Sequence, residues 1–155
     1  MSAIEEPPQR YLSDFIVGET FRGNGTTLTD AHFLFFAALT GDNHPIHYDE
    51  VYAASRPMGK RLAHGLLLMS LTAVGATPLS PLIHDSLIAF VGQSCRFVGP
   101  ATIGDTVHPE FTVCGIEGKD DNRGLLRIQV RLLKHPSTVL LEGEHVYLMR
   151  VSRDS

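Results

Sequence analysis

Residues 41–49 concentrate polar side chains in one short segment, which reads GDNHPIHYD. Pro45 disfavours a helical conformation at the residue before it, so this segment is predicted to be a non-helical link. Asp42 and His47 lie five positions apart across the link. Both can therefore reach one water molecule, which the carboxylate orients while the imidazole gives or takes a proton near neutral pH. The spacing predicts a general acid/base pair.

Two other interpretations of these residues stay open. Asp42 can cap a turn through its side chain, and the histidines can be solvated loop residues. His44 and His47, with Asp42 and Asp49, are also ligand types for zinc or iron. However, Pro45 spoils the helical geometry of a His-x-x-His pair, and such spacings often arise by chance. We therefore predict that the chain uses no metal and no other cofactor.

A second candidate feature is His64-Gly65, at the start of an apolar run. Free backbone N–H groups at the beginning of a helix suit a developing oxyanion, and Gly65 would let a substrate approach closely. An ordinary helix start, with glycine there for packing, explains the same pattern. Covalent catalysis is not indicated, because Ser70 lacks a Gly-x-Ser-x-Gly context and both cysteines, Cys95 and Cys114, lie in predicted strands.

Three helices are predicted around these candidates. The first covers residues 29–41, with Thr29 as its N-cap and Gly41 as its stop. A short helix follows over residues 49–54. Residues 65–75 are apolar nearly all round, so they are predicted to form a buried central helix.

The chain beyond residue 81 is predicted to be β-structure. Four extended segments are separated by turn signals, at residues 87–98, 106–116, 125–133 and 138–151. Apolar and polar residues alternate over 126–132, which puts one face on the core and one in water and indicates an antiparallel sheet. Pro109 indicates that the second strand is an edge, has a bulge, or begins later. The fold class is thus α+β, with a helix across one sheet face.

Composition restricts the classes of protein. The chain has 155 residues, 43% hydrophobic and 19% charged, with a formal net charge of −4, which predicts one soluble domain without affinity for nucleic acid. We expect a flexible segment over residues 1–10 and the domain over 11–152. No signal-peptide pattern, membrane span or disulfide framework is found, so a cytoplasmic location is expected.

Several motifs together carry a resemblance to a known family. They are FAALTGDxxPxHxD at 36–49, YAA at 52–54, KRLAHG at 60–65, RFxxP at 96–100 and GDT at 104–106. In these motifs the chain resembles the MaoC-like dehydratases, the (R)-specific enoyl-CoA hydratase (hydratase 2) family. The resemblance implies a single hot-dog fold, an antiparallel sheet wrapped around a central helix.

The resemblance also implies roles for individual residues. Asp42 and His47 look like the catalytic pair that holds the water added across a trans-2-enoyl thioester. The backbone N–H of Gly65 looks like the donor to the thioester carbonyl. The family commonly has Asn where this chain has His44, which either replaces a neutral hydrogen-bonding support or adds a titratable group. His64 is a further candidate for substrate binding.

Substrate and assembly follow as expectations. His44, together with Arg56 and Arg61 in the segment that covers the site, motivates the hypothesis of a short, branched or carboxylated enoyl-CoA. Surface charge, or contact with the CoA phosphates, also explains both arginines and is the preferred interpretation. The resemblance implies an acyl-CoA substrate, no membrane partner, and a homodimer or higher homo-oligomer. A hot-dog thioesterase and a non-catalytic acyl-CoA or acyl-carrier-protein binding module are the alternative functions.

Overall fold

A computed structural model of the chain describes residues 7–154. Its helices are α1 (Asp30–Thr40), α2 (Glu50–Ala54) and α3 (Gly65–Ser70). Its strands are β1 (Thr20–Arg22), β2 (Thr26–Thr27), β3 (Leu87–Phe97), β4 (Thr106–Gly118), β5 (Arg123–Lys134) and β6 (Thr138–Arg150). Short 3-10 helices lie at Leu12–Asp14, Pro45–His47, Val74–Ala76 and Ser80–Leu82. Within residues 7–154, none of the helices has the length and apolar character to cross a membrane.

The strands form one antiparallel sheet in the order β1-β4-β5-β6-β3, with β2 also paired to β4. The four predicted strands are confirmed, and each boundary lies within two residues of its predicted position. β1 and β2 were not predicted. They have three and two residues, which is too short for an alternating pattern to be recognised.

The alternation predicted in β5 is confirmed by the burial of its side chains. Leu126, Ile128, Val130 and Leu132 are all buried. On the opposite face, Arg127 pairs with Glu117 and Glu144. Leu68 of α3 belongs to the same buried cluster as Leu132, so the helix packs on this face of the sheet.

The central helix is shorter than predicted. It ends at Ser70, and Leu66 is 56% exposed, so the expectation of a helix buried all round over residues 65–75 was wrong. Two hydroxyls compete with its continuation: Ser70 Oγ donates to the carbonyl of Leu67 and Thr72 Oγ1 to that of Met69. Leu67 and Leu68 are buried whereas Leu66 is exposed, so only one side of the helix faces the core.

Pro109 does not mark an edge or a late start of β4, and the bulge of this strand lies at Val113/Gly115. Pro109 pairs with Leu132 of β5 on one side. On the other side the neighbouring chain leaves the ladder between β1 and β2, where Gly23 N–H donates to the Pro109 carbonyl. The missing N–H of proline thus falls where no strand requires it.

The predicted N-terminal segment is only partly described. Residues 1–6 lie outside the described residues. Gln9 Nε2 donates to the carbonyl of Pro81, and Arg10 N–H to that of Leu82, so this end of the segment contacts the domain.

A buried polar cluster lies on the core side of β6. Tyr147 hydroxyl lies 3.0 Å from His145 Nδ1, and Thr72 Oγ1 lies 3.4 Å from His145 Nε2. Thr72 donates its own hydrogen to Met69, so it accepts from Nε2–H, and Tyr147 donates to Nδ1. The neutral imidazole is therefore fully hydrogen-bonded, and burial lowers the pKa of His145 from 6.5 to about 4.

This burial predicts acid-sensitive stability. Above pH 6.5 His145 is neutral in both the folded and the unfolded state, so it makes no pH-dependent contribution to stability. Between pH 6.5 and 4 His145 is protonated in the unfolded chain but stays neutral in the folded protein. The free energy of unfolding should therefore fall with decreasing pH by about 1.4 kcal/mol per pH unit from this group. Urea unfolding at pH 7 and pH 5 should show a loss about 2 kcal/mol larger in the wild type than in His145→Gln. Equal losses would contradict the assignment.

Candidate active site

The polar segment follows directly from the end of α1. Gly41 takes a left-handed conformation, φ 77°, which stops the helix and turns the chain. His44 then caps the 3-10 helix Pro45–His47, because its Nδ1 accepts from Ile46 N–H at 3.2 Å. Asp49 caps α2 by accepting from Tyr52 N–H at 2.8 Å. Two side chains of the segment, His44 and Asp49, thus cap two successive short helices and fix its local conformation.

The structure brings Asp42 and His47 together, with His64 beside them. A carboxylate oxygen of Asp42 and one ring nitrogen of each histidine all lie within 4.8 Å of one another. One water molecule between two acceptors spans about this distance, at about 2.8 Å to each. Asp42 is exposed and His47 half-buried. The pair can therefore hold a single water at a solvent-accessible position.

The tautomer of His47 follows from its partner. Its Nδ1 lies 2.7 Å from the main-chain carbonyl oxygen of Leu62, which can only accept. Nδ1 therefore carries the proton, and in the neutral ring Nε2 presents a lone pair. Leu62 N–H in turn donates to the carbonyl of Ile46, which ties the two segments together. His47 is thus oriented as a base.

Asp42 combines a turn contact with a free oxygen. Its Oδ1 accepts from His44 N–H at 3.3 Å, the turn-capping contact that the sequence left open. Within residues 7–154 no hydrogen bond to its Oδ2 is found, so this oxygen is available to a water or a substrate. The capping and catalytic interpretations of Asp42 are therefore compatible.

His64 is 2% exposed and stacks on His47, with ring centroids 3.8 Å apart and 24° between the planes. Its Nε2 lies 2.5 Å from the hydroxyl of Tyr48, and its buried Nδ1 has no hydrogen-bond partner in the described part of the chain. Such an unpaired nitrogen costs about 1–3 kcal/mol. Burial lowers the pKa of His64, and the neighbouring His47 lowers it further.

Tyr48 was not identified from the sequence. Its hydroxyl lies 3.1 Å from both the Phe33 and the Asp42 carbonyl oxygens. Burial raises the pKa of Tyr48, and the charge of Asp42 adds to this effect, so the hydroxyl stays protonated. An aromatic residue between two polar ones gives no signal that its hydroxyl reaches partners in three segments.

Gly65 is packed against an aromatic ring. A Cβ at this position would lie 3.1–3.3 Å from three atoms of the Phe97 ring, which supports the packing explanation of the glycine. Its N–H makes no backbone hydrogen bond within the described residues. The role of this N–H as a thioester donor stays a prediction.

The two arginines lie in different surroundings. The guanidinium of Arg56 stacks 4.1 Å from the centre of the Tyr52 ring and forms no ion pair within residues 7–154. Arg56 and Tyr52, with His44, line a cavity of about 330 Å³. Its other walls are Ile46, Pro57, Met58 and Leu62. Arg61 instead pairs with Asp30 at 2.9 Å and Glu50 at 2.8 Å. Substrate binding by Arg61 would compete with these contacts.

The geometry gives little support to a metal site at Asp42, His47 and His64. The His47 and His64 ring planes are nearly parallel, 24° apart with centroids 3.8 Å apart, so an ion in the plane of one ring, where the nitrogen lone pair lies, would be well out of the plane of the other. His47 Nδ1 and His64 Nε2 are also occupied by Leu62 and Tyr48. The absence of a metal stays a prediction.

Comparisons with known sequences agree with the resemblance. The family model of the MaoC-like domain matches residues 14–132. An (R)-specific enoyl-CoA hydratase of Rhodospirillum rubrum is 35% identical over 106 residues, which cover 68% of this chain and 71% of that protein. Protein MaoC of Klebsiella aerogenes is 31% identical over 68% of this chain, but the match spans only 31% of that protein.

Solved structures share the architecture. A monoamine oxidase regulatory protein from Archaeoglobus superposes with a TM-score of 0.88 over 96% of this chain and 99% of its own, at 27% identity. A Mycobacterium tuberculosis protein with a double hot-dog fold superposes at 0.76, at 20% identity, over 95% of this chain and 46% of its own. The predicted hot-dog fold is thus confirmed.

Proposed function

Because the chain belongs to the MaoC-like domain family, we propose that it catalyses the reversible hydration of a trans-2-enoyl-CoA to an (R)-3-hydroxyacyl-CoA. The observation that carries the proposal is the convergence of Asp42 and His47 within 4.8 Å, a separation that suits one bridging water. The similarity to an (R)-specific enoyl-CoA hydratase supports the same reaction.

In the proposed mechanism the water donates one hydrogen bond to His47 Nε2 and one to the Asp42 carboxylate. His47 takes a proton as the water oxygen forms a bond to C3 of the enoyl group. Electron density moves onto the thioester oxygen, and the enolate-like species collapses as C2 receives a proton from the same pair. Water is the only co-reactant, and the acid/base contribution is about two to four powers of ten in rate.

Gly65 is proposed to bind the thioester oxygen through its N–H. A donor aimed at a developing oxyanion contributes about two to three powers of ten in rate. A Cβ at Gly65 would lie 3.1–3.3 Å from atoms of the Phe97 ring, so a side chain there would require this ring to shift. The thioester carbonyl would then lie at the beginning of α3, beside His64 and the water held by Asp42 and His47.

The product identifies the reaction. Crotonyl-CoA incubated with the protein should give 3-hydroxybutyryl-CoA, and chiral chromatography of the released acid should give the R form. Free CoA thiol would instead indicate a thioesterase, and binding without any product would indicate a binding module. Predominantly S product would contradict the proposed stereochemistry while leaving hydration intact.

The cavity beside His44 supports a preference for short, branched or carboxylated acyl groups. Of the described residues that line it, most are apolar, and one, Arg56, is an arginine or lysine. A small acyl group can occupy the apolar part while a terminal carboxylate meets Arg56. A long unbranched chain would exceed a volume of about 330 Å³ unless it left the cavity.

Arg56→Gln tests this preference. We expect kcat/KM for a mesaconyl-type thioester to fall about tenfold, since a hydrogen bond to a charged group is lost, while crotonyl-CoA hydration changes little. Steady-state kinetics on both substrates measures the ratio. An equal rise in KM for both would assign Arg56 to the CoA phosphates, and faster turnover of a long-chain enoyl-CoA would contradict the preference.

We also propose that the protein forms at least a homodimer through β3. This strand pairs only with β6 within the described residues, so its outer edge leaves backbone groups unpaired. Phe90 and Val91 on it are 51% and 53% exposed. Light scattering of the wild type at micromolar concentration should give the mass of two or more chains. Val91→Lys should lower the measured mass. Gln129→Lys, on the outer sheet face, is the control and should leave the mass unchanged. A monomeric wild type would refute the proposal.

A further inference from the structure

The hydroxyl of Tyr48 joins three segments of the site. It lies 3.1 Å from the carbonyl oxygen of Phe33 in α1, 3.1 Å from that of Asp42, and 2.5 Å from Nε2 of His64. These partners are separated in sequence by up to 31 residues, from Phe33 to His64. One hydroxyl thus links the beginning of α1, the polar segment and the beginning of α3.

The directions of these hydrogen bonds follow from the donor count. A phenol has one hydrogen, and both carbonyl oxygens can only accept. If Tyr48 donated to His64, neither carbonyl would receive its hydrogen. If His64 carries its proton on Nε2, it donates to Tyr48, which donates onward to a carbonyl, so two hydrogen bonds form instead of one. The contacts therefore favour the Nε2–H tautomer of His64.

The face of the His64 ring contacts His47 of the proposed catalytic pair. It stacks on His47 at 3.8 Å, and the rings of Phe33 and Phe36 pack around it at 5.7 and 4.8 Å. His47 is held at its edge by Leu62 and at its face by His64. A neutral stacked ring restricts the plane of His47 without adding charge beside it.

We infer that Tyr48 and His64 act together as positioning residues, which fix Asp42 through its main-chain carbonyl and His47 through ring stacking. This inference rests on the proposed function, because the groups that they position are the proposed catalytic pair. It gives His64 a role other than the substrate contact predicted from the sequence, in agreement with its burial. Neither residue needs to touch the reacting atoms.

Kinetics of three single variants and one double variant test the inference. Tyr48→Phe keeps the ring but loses the hydroxyl, and His64→Leu loses both the ring and its N–H. Each should lower kcat about ten- to a hundredfold, since small displacements of catalytic groups have effects of this size, while KM changes less than about threefold. His64→Gln carries an amide N–H near the position of Nε2, so it should recover the part of the loss that depends on the bond to Tyr48, but not the part that depends on stacking against His47. The double variant Tyr48→Phe/His64→Leu should be little worse than either single one.

Tyr147→Phe is the matched control, because it also removes a hydrogen-bonded tyrosine hydroxyl, but one that lies in the core cluster with His145. It should lower the melting temperature and leave kcat unchanged, and circular dichroism at the assay temperature confirms that each variant is folded. If the folded Tyr48→Phe and His64→Leu keep wild-type kcat, or if His64→Gln is no better than His64→Leu, the inference is wrong.

A second measurement does not depend on activity. Long-range ¹H–¹⁵N NMR of the histidine rings at neutral pH should show the proton of His64 on Nε2 and that of His47 on Nδ1. A His64 protonated on Nδ1 would overturn the inference. An inactive wild type with both expected tautomers would refute the proposed hydration but leave the hydrogen-bond arrangement intact.

Discussion

Asp42→Asn should lower kcat for enoyl-CoA hydration by about two to four powers of ten, with little effect on thioester binding. The asparagine keeps the Oδ1 that accepts from His44 N–H, so the turn should survive. It replaces the second carboxylate oxygen with an amide donor, which cannot accept a hydrogen bond from the water. Steady-state kinetics measures the rate, and calorimetric titration with crotonyl-CoA measures the binding.

Asp49→Asn is the control for this variant, because Asp49 lies in the same segment and caps α2 through a side-chain oxygen that asparagine retains. It should keep kcat within a few-fold of the wild type. An Asp42→Asn variant within tenfold of wild-type kcat would remove Asp42 from the mechanism. Loss of binding together with turnover would indicate that the substitution disturbs the fold of the segment.

His47→Asn should cause a loss of similar size, about two to four powers of ten in kcat. The amide nitrogen of asparagine can take the place of Nδ1 and donate to the carbonyl of Leu62, so the local hydrogen bond is kept. The basic Nε2 is removed, and no group takes the proton of the attacking water. Initial rates at several pH values check that the loss is present throughout the range.

His84→Asn, at an exposed position, is the control for His47→Asn and should have wild-type kinetics. The double variant Asp42→Asn/His47→Asn should be only slightly slower than either single variant, because the two side chains act on one water molecule. Losses that multiply in the double variant would mean that Asp42 and His47 act in separate steps. A His47→Asn variant that keeps most of its activity would exclude His47 as the base.

Local signals in the sequence predicted most of the fold. Thr29 precedes the helix that it was predicted to cap, and Gly41 takes the left-handed conformation for which glycine is suited. The short helix predicted over residues 49–54 forms at Glu50–Ala54. The alternation around Ile128 marks the buried face of β5. These features depend on a few neighbouring residues, so a sequence is enough to recognise them.

The errors arose where a distant contact or a competing hydrogen bond decides the structure. The hydroxyls of Ser70 and Thr72 end α3, although the apolar run continues beyond them. Pro109 is tolerated inside the sheet because the chain around Gly23 leaves the ladder there. A pattern of hydrophobicity contains neither kind of information.

The candidate site was predicted in part. Asp42 and His47 converge as their spacing predicts, because the link between them is short. The contact between Phe97 and Gly65 and the bonds of Tyr48 join segments far apart in sequence. The ion pairs of Arg61 with Asp30 and Glu50 were not predicted either, because neither partner is a neighbour of Arg61 in the sequence.

The most direct test of the account is the reversible hydration itself, followed by the ultraviolet absorbance of the conjugated enoyl thioester. The wild-type protein should lower the absorbance of crotonyl-CoA, raise that of a solution of (R)-3-hydroxybutyryl-CoA, and bring both to the same final ratio without release of free thiol. Unchanged absorbance from both directions, or a decrease accompanied by an equal amount of free thiol, would contradict the assignment of this chain as a hydratase.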